Sequence, residues 1–413
     1  MNIKKVSVIG LGYVGLPLCF NISKFFNTIG YDLDKKKINQ LNLGYDVTKN
    51  FTSKDLKKKK VEFTSNLKKI ENSDIFIICV PTPIKKNNKP DLNYLKIACD
   101  IVGKALKKKS TVIIESTVYP GCTEEICIPI LEKKSGFKIN LDFFCGFSPE
   151  RINPGDKSKT LTKIAKIVSG SNNFSKNLIY KFYKKIISAN VHKASSIKVA
   201  EAAKIIENTQ RDINIALINE FYKICEAMNL DIYEVINMAK TKWNFMPFYP
   251  GLVGGHCISV DPYYLTYSAK KLKINPKMIL SGRYTNDTFY KYICLKIEEK
   301  LKKEKVKKNK LRILLVGFSF KENTNDVRNT GMIKIYNHFK SKNNNIDIFD
   351  NIADKEQAKK LYNVNLLQKI PNKNYDLVIV CLKHNKFKNN SIKRKILSVS
   401  KNAAVYDFKK LLN

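Results

Sequence analysis

A glycine-rich turn near the amino terminus constrains the fold of this 413-residue chain more than any other feature. The run KKVSVIG predicts a buried strand that ends at Gly10, and Gly12 and Gly15 complete a GxGxxG pattern that opens a helix. The next predicted strand, NTIGYD, ends at Asp32, 20 residues after Gly12. The first glycine permits a tight turn, the second lets the backbone approach a pyrophosphate, and the third lets the helix pack on the strand. The pattern therefore predicts a dinucleotide site.

The acid at the end of the second strand indicates which dinucleotide is bound. A carboxylate at Asp32 accepts a hydrogen bond from an adenosine ribose hydroxyl and repels a 2′-phosphate, which favours NAD over NADP. Lysines at positions 35 to 37 follow closely and soften that exclusion. Taken alone, the motif is also compatible with a glycine turn that binds nothing.

Strands and helices alternate at both ends of the chain. Further strands are predicted at residues 74–80, 111–117 and 142–148, with a helix at 91–107, and alternation returns after residue 310. Residues 196–228 lack Gly and Pro and carry apolar residues at helical spacing, which predicts one long helix. We therefore expect an α/β protein with two Rossmann-like parallel-sheet domains, joined by a long central helix and a small helical middle domain. The expected domains are 1–195 for the NAD-binding sheet, 196–300 for the helical middle with Cys257, and 311–413 for a carboxyl-terminal sheet.

The charge is strongly basic, with 75 Lys and Arg against 36 Asp and Glu. Nucleic-acid binders concentrate Arg on one face, but here six of the basic residues are Arg and the lysines are scattered. This distribution favours compositional drift, with no nucleic-acid or membrane partner. A basic binding protein without catalytic activity is the alternative, and salt-sensitive DNA binding would distinguish it.

The cysteines and the amino terminus indicate a cytoplasmic protein. Ten cysteines occur without a disulfide framework or zinc-like spacing, and Cys79 and Cys381 lie inside apolar runs, which favours a reducing compartment and no metal. The apolar stretch that ends at Phe20 contains three Gly and a Pro, which favours a first strand and turn over a secretory signal. No run reaches the roughly 18 apolar residues of a membrane helix.

Two loops at predicted strand ends carry candidate binding residues. Val80-Pro81-Thr82-Pro83 and Glu115-Ser116-Thr117 leave the carboxyl ends of strands, where an open α/β sheet binds its ligand. Thr82 and Thr117 are therefore candidates for cofactor or substrate contact. Ordinary turn chemistry, in which Pro ends strands and Thr caps helices, is the alternative.

Two further segments carry candidates for chemistry. Lys204 and Asn208 are four residues apart on the long helix, so they share a face and could stabilise an oxyanion, although a solvated face is the common alternative. Cys257 lies in the glycine-rich segment PGLVGGHCISVDP, where it is a candidate nucleophile, and Asp261 follows four residues later.

Taken together, these segments resemble one known family. The motifs GLGYVGLP, VPTP, EST, SPERINPGD, KxxxN, GGHCxxxDP and FKENTNDVRNT occur in the order typical of the UDP-glucose/GDP-mannose dehydrogenase family, over almost the whole chain. The sequence most resembles the branch that oxidises UDP-N-acetylhexosamines for surface polysaccharides. That branch also has an ENTxRDxNIAxxNE helix and a PGLVGGHC loop.

The resemblance implies a four-electron oxidation of a sugar C6 hydroxyl by two NAD. It implies that Cys257 captures the aldehyde, and that Lys204 and Asn208 hold the oxyanion. Asp261 and Thr117 position a water or a proton relay, and Glu150 acts as the acid/base in thioester hydrolysis. A single-step β-hydroxyacid dehydrogenase also uses a Lys and an Asn on a long helix, needs no Cys, and is the alternative enzyme.

The resemblance also implies binding residues, UDP-sugar binding by the domain at 311–413, and a homodimer joined through the long helix and the middle domain at 196–300. The cofactor-binding residues are Gly10, Gly12, Tyr13, Val14, Gly15, Asp32, Lys37, Thr82, Thr117 and Arg328. The substrate-binding residues are Glu150, Arg151, Lys204, Asn208, Arg211, Tyr249, Gly254 and Lys321. For Arg211 a helix ion pair is an equal alternative, and Arg283 and Asn286 match a family segment without a defined role.

Two positions depart from the family pattern that the resemblance implies. Tyr249 occupies a position where the resemblance implies an Arg, and Ser259 replaces a Gly or Pro. Neither change alters the candidate nucleophile or its Asp. They leave the sugar open among UDP-N-acetylglucosamine, UDP-N-acetylmannosamine and UDP-glucose.

Overall fold

The computed structural model describes residues 3–46, 51–57, 60–151, 160–306 and 309–412. Two compact units are present, one of Met1–Glu207 with Tyr263–Asn275 and one of Asn208–Pro262 with Pro276–Asn413. Residues 152–156 of the SPERINPGD motif lie outside the described residues. The three-domain division at 195 and 300 stays a prediction.

The first unit is built on a six-stranded parallel sheet in the order β3-β2-β1-β4-β5-β6. Its buried strands are nearly continuous apolar runs, as expected when helices cover both faces. The strands are β1 (Lys5–Ile9), β2 (Asn27–Tyr31), β3 (Val61–Thr64), β4 (Ile75–Ile78), β5 (Thr111–Ile114) and β6 (Phe144–Phe147), with β7 (Lys166–Val168) and β8 (Val191–Lys193) as a separate pair. The helices are α1 (Gly15–Ile22), α2 (Lys35–Asn42), α3 (Ser53–Lys57), α4 (Leu67–Ile70), α5 (Asn93–Ala105), α6 (Ile128–Ser135) and α7 (Asn173–Ile186).

The strand order places the predicted loops at one edge of this sheet. In the register, Ile9 of β1 lies opposite Tyr31 of β2 and Ile78 of β4. The chain order reverses between β1 and β4, and open α/β sheets bind ligands at the carboxyl end of such a switch point. The glycine turn and the loops after β2 and β4 all begin there.

The long helix α8 (Ile197–Ala227) has 31 residues and agrees closely with the predicted span. Helices α9 (Ile232–Ala239), α10 (Asp261–Lys271) and α11 (Lys277–Lys303) follow. No helix in the described part of the chain is both long enough and apolar enough to cross a membrane.

The second unit contains a five-stranded parallel sheet in the order β11-β10-β9-β12-β13. The elements are β9 (Arg312–Val316), α12 (Met332–Lys340), β10 (Asn345–Phe349), α13 (Lys355–Tyr362), β11 (Leu366–Leu367), β12 (Leu377–Val380), α14 (Asn390–Val399) and β13 (Ala404–Asp407). The predicted α/β class with two parallel sheets is confirmed. The sequence analysis missed β3, β7, β8 and β11, which are short or rich in polar residues.

A buried carboxylate orders the loop that follows β9. Asp350, just after β10, accepts hydrogen bonds from the backbone N–H groups of Phe318, Ser319 and Ala353 at 2.8, 3.1 and 2.9 Å, and His384 Nε2 lies 3.2 Å away. Burial alone would raise the pKa of Asp350, but the hydrogen bonds from His384 and the backbone outweigh it and lower the pKa to about 2. Asp350 therefore fixes the start of the FKENTNDVRNT segment.

Candidate active site

The three glycines of the first turn have different surroundings. A Cβ on Gly10, which has φ +94°, would lie 2.9 Å from the Cys79 carbonyl oxygen, and one on Gly15 would lie 1.9 Å from the Gly10 carbonyl oxygen. A Cβ on Gly12 would meet none of the described atoms within 4 Å. Gly10 and Gly15 are thus required by packing, whereas Gly12 faces open space that a Cβ would fill, as expected where a pyrophosphate approaches the backbone.

The acid after β2 contacts the same turn. Asp32 accepts a hydrogen bond from the backbone N–H of Leu11 at 2.9 Å, and Lys37 Nζ lies 2.7 Å from its Oδ2. Tyr13 and Val14 are half-buried within the turn. The residues present therefore fit an NAD site, with Gly12 at the pyrophosphate and Asp32 at the ribose. Lys37, one of the lysines expected to soften the exclusion of NADP, forms an ion pair with Asp32.

The loops after β4 and β5 are joined to each other. Ser116 Oγ donates to the Val80 carbonyl oxygen at 2.7 Å, and the buried Tyr264 donates to the Thr82 carbonyl oxygen at 2.8 Å. Thr82 and Thr117 are both half-buried in these loops. The structure therefore places the two predicted threonines in neighbouring loops that are hydrogen-bonded to each other at the ligand-binding edge of the sheet.

A buried charge cluster surrounds Glu150. Lys166 Nζ lies 3.2 Å from Glu150 Oε2 and 3.0 Å from Glu115 Oε1, and the Tyr183 hydroxyl donates to the same Glu115 oxygen. The Lys166 side chain is 5% exposed. Burial opposes its charge, but Glu115 and Glu150 outweigh burial and raise the pKa of Lys166. Burial raises the pKa of Glu115.

Sequence reasoning assigned no role to Lys166 or Tyr183. Nothing in a chain with so many lysines distinguishes Lys166, and its partners are distant in sequence. Glu115 lies in the EST motif, so its position at a strand end was the one available signal.

Lys204 and Arg151 contact the same segment as Glu150. Lys204 is 7% exposed, and its Nζ donates to the Glu150 carbonyl oxygen at 2.9 Å. Arg151 donates to Glu207 at 2.5 Å and to the Ala203 carbonyl oxygen at 3.3 Å. The structure therefore brings Lys204 to Glu150, and Arg151 ties the SPER segment to α8 within the first unit.

In the second unit, Cys257 lies with Asn208 and Asp261. The backbone N–H of Asp261 donates to the Cys257 carbonyl oxygen at 2.8 Å, and Asn208 Nδ2 donates to Asp261 Oδ2 at 2.5 Å. Of the ten cysteines, Cys257 is exposed, Cys79 is half-buried and the other eight are buried. An exposed thiol on a glycine turn is available for chemistry, unlike the packed thiols.

The paired glycines before Cys257 pack against the FKENTNDVRNT segment. A Cβ on Gly254 would lie 2.4 Å from the Asn329 carbonyl oxygen, and one on Gly255, which has φ +81°, would lie 2.7 Å from the Phe320 ring. Asn329 Nδ2 donates to the Gly255 carbonyl oxygen at 3.0 Å. Both positions therefore require glycine for packing.

The remaining predicted residues of the second unit have varied surroundings. Arg328 pairs with Asp326 at 2.7 Å, and Lys321 Nζ lies 5.4 Å from the centre of the Phe320 ring. Tyr249 stacks on Tyr233 with ring centres 6.3 Å apart. Arg211 is exposed and forms no hydrogen bond or ion pair with another described residue, so a helix ion pair is not observed.

Arg283 and Asn286 belong to a buried polar network. Arg283 Nη1 donates to Asp212 Oδ1 at 2.6 Å, and Asn286 Nδ2 donates to the same atom at 2.8 Å. Asn286 Oδ1 accepts from Asn219 at 2.9 Å. Sequence reasoning assigned no role to Asp212 or Asn219, although both lie in the quoted ENTxRDxNIAxxNE motif.

The chain matches known proteins over its full length. The models of the UDP-glucose/GDP-mannose dehydrogenase family match in three parts: the NAD binding domain over residues 4–187, the central domain over 198–288 and the UDP binding domain over 314–413. The UDP-N-acetyl-D-glucosamine 6-dehydrogenase of Pseudomonas aeruginosa is 45% identical over 99% of this chain and 97% of that protein. The chain belongs to the UDP-glucose/GDP-mannose dehydrogenase family.

Two further similarities support this membership. The UDP-N-acetyl-D-glucosamine 6-dehydrogenase of Salmonella typhi is 46% identical over 93% of this chain and 91% of that protein. The solved structure of a UDP-D-ManNAc dehydrogenase from Pyrococcus horikoshii has a TM-score of 0.88 at 28% identity, covering 99% of this chain and 96% of that one. The chain is therefore an NAD-dependent nucleotide-sugar dehydrogenase that takes a UDP-sugar.

Proposed function

We propose that this dehydrogenase oxidises the C6 hydroxyl of UDP-N-acetylglucosamine to the carboxylate, supplying a uronic acid for a surface polysaccharide. The observation that carries the choice of sugar is the 45–46% identity, over nearly the full chain, to two proteins named for that substrate. UDP-N-acetylmannosamine and UDP-glucose are the alternative sugars, and the Pyrococcus horikoshii structure named for the mannosamine form is less similar in sequence.

The proposed roles in oxidation follow from the donors that each side chain has available. NAD, when bound, accepts a hydride in each of the two oxidations. Lys204 carries three N–H groups and Asn208 two, so each retains a donor for the sugar oxyanion after its bond to Glu150 or Asp261. In other acyl-transfer enzymes such a donor contributes about 2.7–4 kcal/mol. Cys257 adds to the aldehyde to form a thiohemiacetal, whose oxidation leaves a thioester.

The proposed roles in hydrolysis belong to three oxygen-bearing side chains. Glu150 acts as the acid/base for the water that cleaves the thioester, while Asp261 and Thr117 position water or relay protons. Lys166 Nζ lies 3.2 Å from Glu150 Oε2, so this ammonium group orients the Glu150 carboxylate. Cleavage frees the Cys257 thiol and releases the carboxylate.

Binding roles are proposed for the remaining residues that the resemblance implied. Arg328, with Tyr13 and Val14 of the glycine turn, would contact NAD, and Lys321 and Gly254 would contact the UDP-sugar. Arg211, whose charge is unpaired among the described residues, would contact the acetylated sugar. Tyr249 would supply an aromatic surface in place of the expected Arg.

The number of NADH formed per sugar tests the reaction. Purified protein assayed with a panel of UDP-sugars should form two NADH per molecule of uronic acid, fastest with UDP-N-acetylglucosamine. One NADH per sugar would instead identify a single-step dehydrogenase. Cys257→Ala should still bind NAD but form no acid, so acid formation at the normal rate would contradict the covalent scheme.

We also propose that the protein is a cytoplasmic homodimer. Three large apolar residues along one stripe of α8 are 42–53% exposed, namely Leu217, Phe221 and Ile224, and Met228, just past the end of the helix, is 61% exposed. A second copy would cover this stripe, and the lack of a disulfide among the ten described cysteines suits a reducing compartment. Light scattering should give twice the chain mass of 47.4 kDa, and Phe221→Glu should reduce that value.

A further inference from the structure

Helix α8 carries two asparagines that contact opposite ends of the segment bearing Cys257. Asn208 and Asn219 are eleven residues apart, so they lie within about 20° of each other around the helix and about 16 Å apart along it. Asn208 donates to Asp261, at the carboxyl end of this segment. Asn219 contacts Gly251, near its amino end. One rigid element therefore contacts the backbone or side chains on both sides of the thiol.

Asn219 pairs with Gly251 as one peptide group pairs with another. Its Oδ1 accepts from the Gly251 N–H at 2.9 Å, and its Nδ2 donates to the Gly251 carbonyl oxygen at 3.1 Å. Asn219 is fully buried. These two bonds satisfy both backbone groups of a residue in an irregular segment, where secondary structure supplies no partners.

The network behind Asn219 fixes the orientation of its amide. Asn286 Nδ2 donates to the Asp212 carbonyl oxygen and to its carboxylate, each at 2.8 Å, so Asn286 Oδ1 faces Asn219 and accepts from Nδ2 at 2.9 Å. Arg283 in turn pairs with Asp212 at 2.6 Å. A flipped Asn219 amide would set oxygen against oxygen at two contacts. The amide therefore has one stable orientation, the one that matches Gly251.

We propose that Asn219 is a positioning residue for the nucleophile, which it holds through Gly251 with Asn286 as its support. The proposal rests on the proposed catalytic role of Cys257. Asn219 does not touch the reacting atoms. It fixes the amino end of the segment, as Asn208 fixes the carboxyl end through Asp261, so the intervening glycine turn presents the thiol in one place.

Hydrogen–deuterium exchange of the full-length protein, analysed by mass spectrometry, tests the contact directly. In Asn219→Ala, the peptide containing Gly251 should exchange at least tenfold faster, kcat should fall tenfold or more, and the KM for NAD should stay within twofold of wild type. Asn219→Asp should be no better, because its second oxygen faces two acceptors. Asn286→Ala keeps the two hydrogen bonds between Asn219 and Gly251 but removes the group that fixes the orientation of the Asn219 amide. The rise in exchange and the fall in kcat should therefore both be smaller than in Asn219→Ala.

A second residue of α8 supplies the control for these variants. Gln210→Ala removes an exposed amide from the same helix and should leave exchange and kcat unchanged. The proposal is overturned if the peptide containing Gly251 exchanges at the wild-type rate in both Asn219→Ala and Asn286→Ala. It is also overturned if kcat falls only in proportion to the loss of folded protein. If Asn219→Ala does not fold, Asn286→Ala decides alone. Hydrogen exchange is measured without substrate. A ratio other than two NADH per sugar would therefore overturn the proposed reaction but not the exchange result for Asn219 and Gly251.

Discussion

Replacing Lys166 with Met tests the buried cluster around Glu150. The ammonium group lies 3.0 Å from Glu115 and 3.2 Å from Glu150, and its side chain is 5% exposed. Met preserves the length and apolar stem of the side chain but removes the ammonium group from between two buried carboxylates. Removing one member of a buried ion pair costs about 3–5 kcal/mol. We expect a loss of that size in the free energy of unfolding at pH 8.

The pH dependence of this loss has a definite sign. Burial already raises the pKa of Glu115 in the folded protein, and without the ammonium group of Lys166 this pKa should rise further above the unfolded value of about 4.3. An acid with a raised folded pKa costs stability as the pH increases from the unfolded value through the folded one. The deficit of Lys166→Met should therefore be small near pH 4.5 and reach its full value near pH 8, and kcat should fall because Glu150 loses the ammonium group that holds its carboxylate in place.

Urea unfolding followed by circular dichroism measures the loss, and hydrogen exchange of peptides from 111–117 and 144–151 assigns it to the first unit. Glu115→Gln in the Lys166→Met background removes one of the two carboxylates that Lys166 contacted, so the double variant should recover at least about 1 kcal/mol relative to additivity. Lys69→Met breaks an exposed pair with Glu62 and should cost no more than about 1 kcal/mol. A loss under 1 kcal/mol at pH 8 for Lys166→Met, or strict additivity with Glu115→Gln, would refute the reasoning.

Other substitutions test the remaining features. Gly12→Ala should keep the melting temperature but weaken NAD binding at least tenfold. Gly15→Ala should lower the melting temperature sharply, because its Cβ would lie 1.9 Å from a carbonyl oxygen. Scanning fluorimetry of both variants, with and without NAD, measures the two effects. Asp32→Ala should raise the KM for NAD about 10–100-fold by losing hydrogen bonds to a charged group worth roughly 1.5–3 kcal/mol, and an unchanged KM would contradict the ribose contact. Asp350→Asn should destabilise the second unit by about 3 kcal/mol in urea. In wild type about 2–3 kcal/mol from Asp350, whose pKa is about 2, should be lost as the pH falls from 5 to 1, and a flat acid profile would count against this.

Much of the fold is predictable because it depends on local patterns. The apolar runs of β1, β4, β5 and β9 and the unbroken helical periodicity of α8 are each evident within a few residues. The predicted strands at 74–80 and 111–117 extend past the observed ends at Ile78 and Ile114, because the trailing residues form the ligand-binding loops. Strand β11, with two residues, is too short for its own pattern to show.

Some residues of the candidate site could be predicted from local sequence, and others could not. Gly12, Asp32 and Cys257 could be identified because turn chemistry and spacing mark them. Lys166 and Asn219 could not, because the partners that make each of them distinctive are contributed by other elements. Tyr183 and Glu115, for example, meet across 68 residues of chain.

The sequence alone determined most of the strands and helices and where the glycine turns lie, since backbone freedom and hydrophobic period are properties of neighbouring residues. Only the tertiary structure decided which polar side chains are buried together: Lys166 between two glutamates, Asn219 against Gly251, and Asp350 beneath the loop after β9. The physical reason is that a polar group buried from water must find its partner inside the protein, and strand order and helix packing bring that partner from a distant part of the chain.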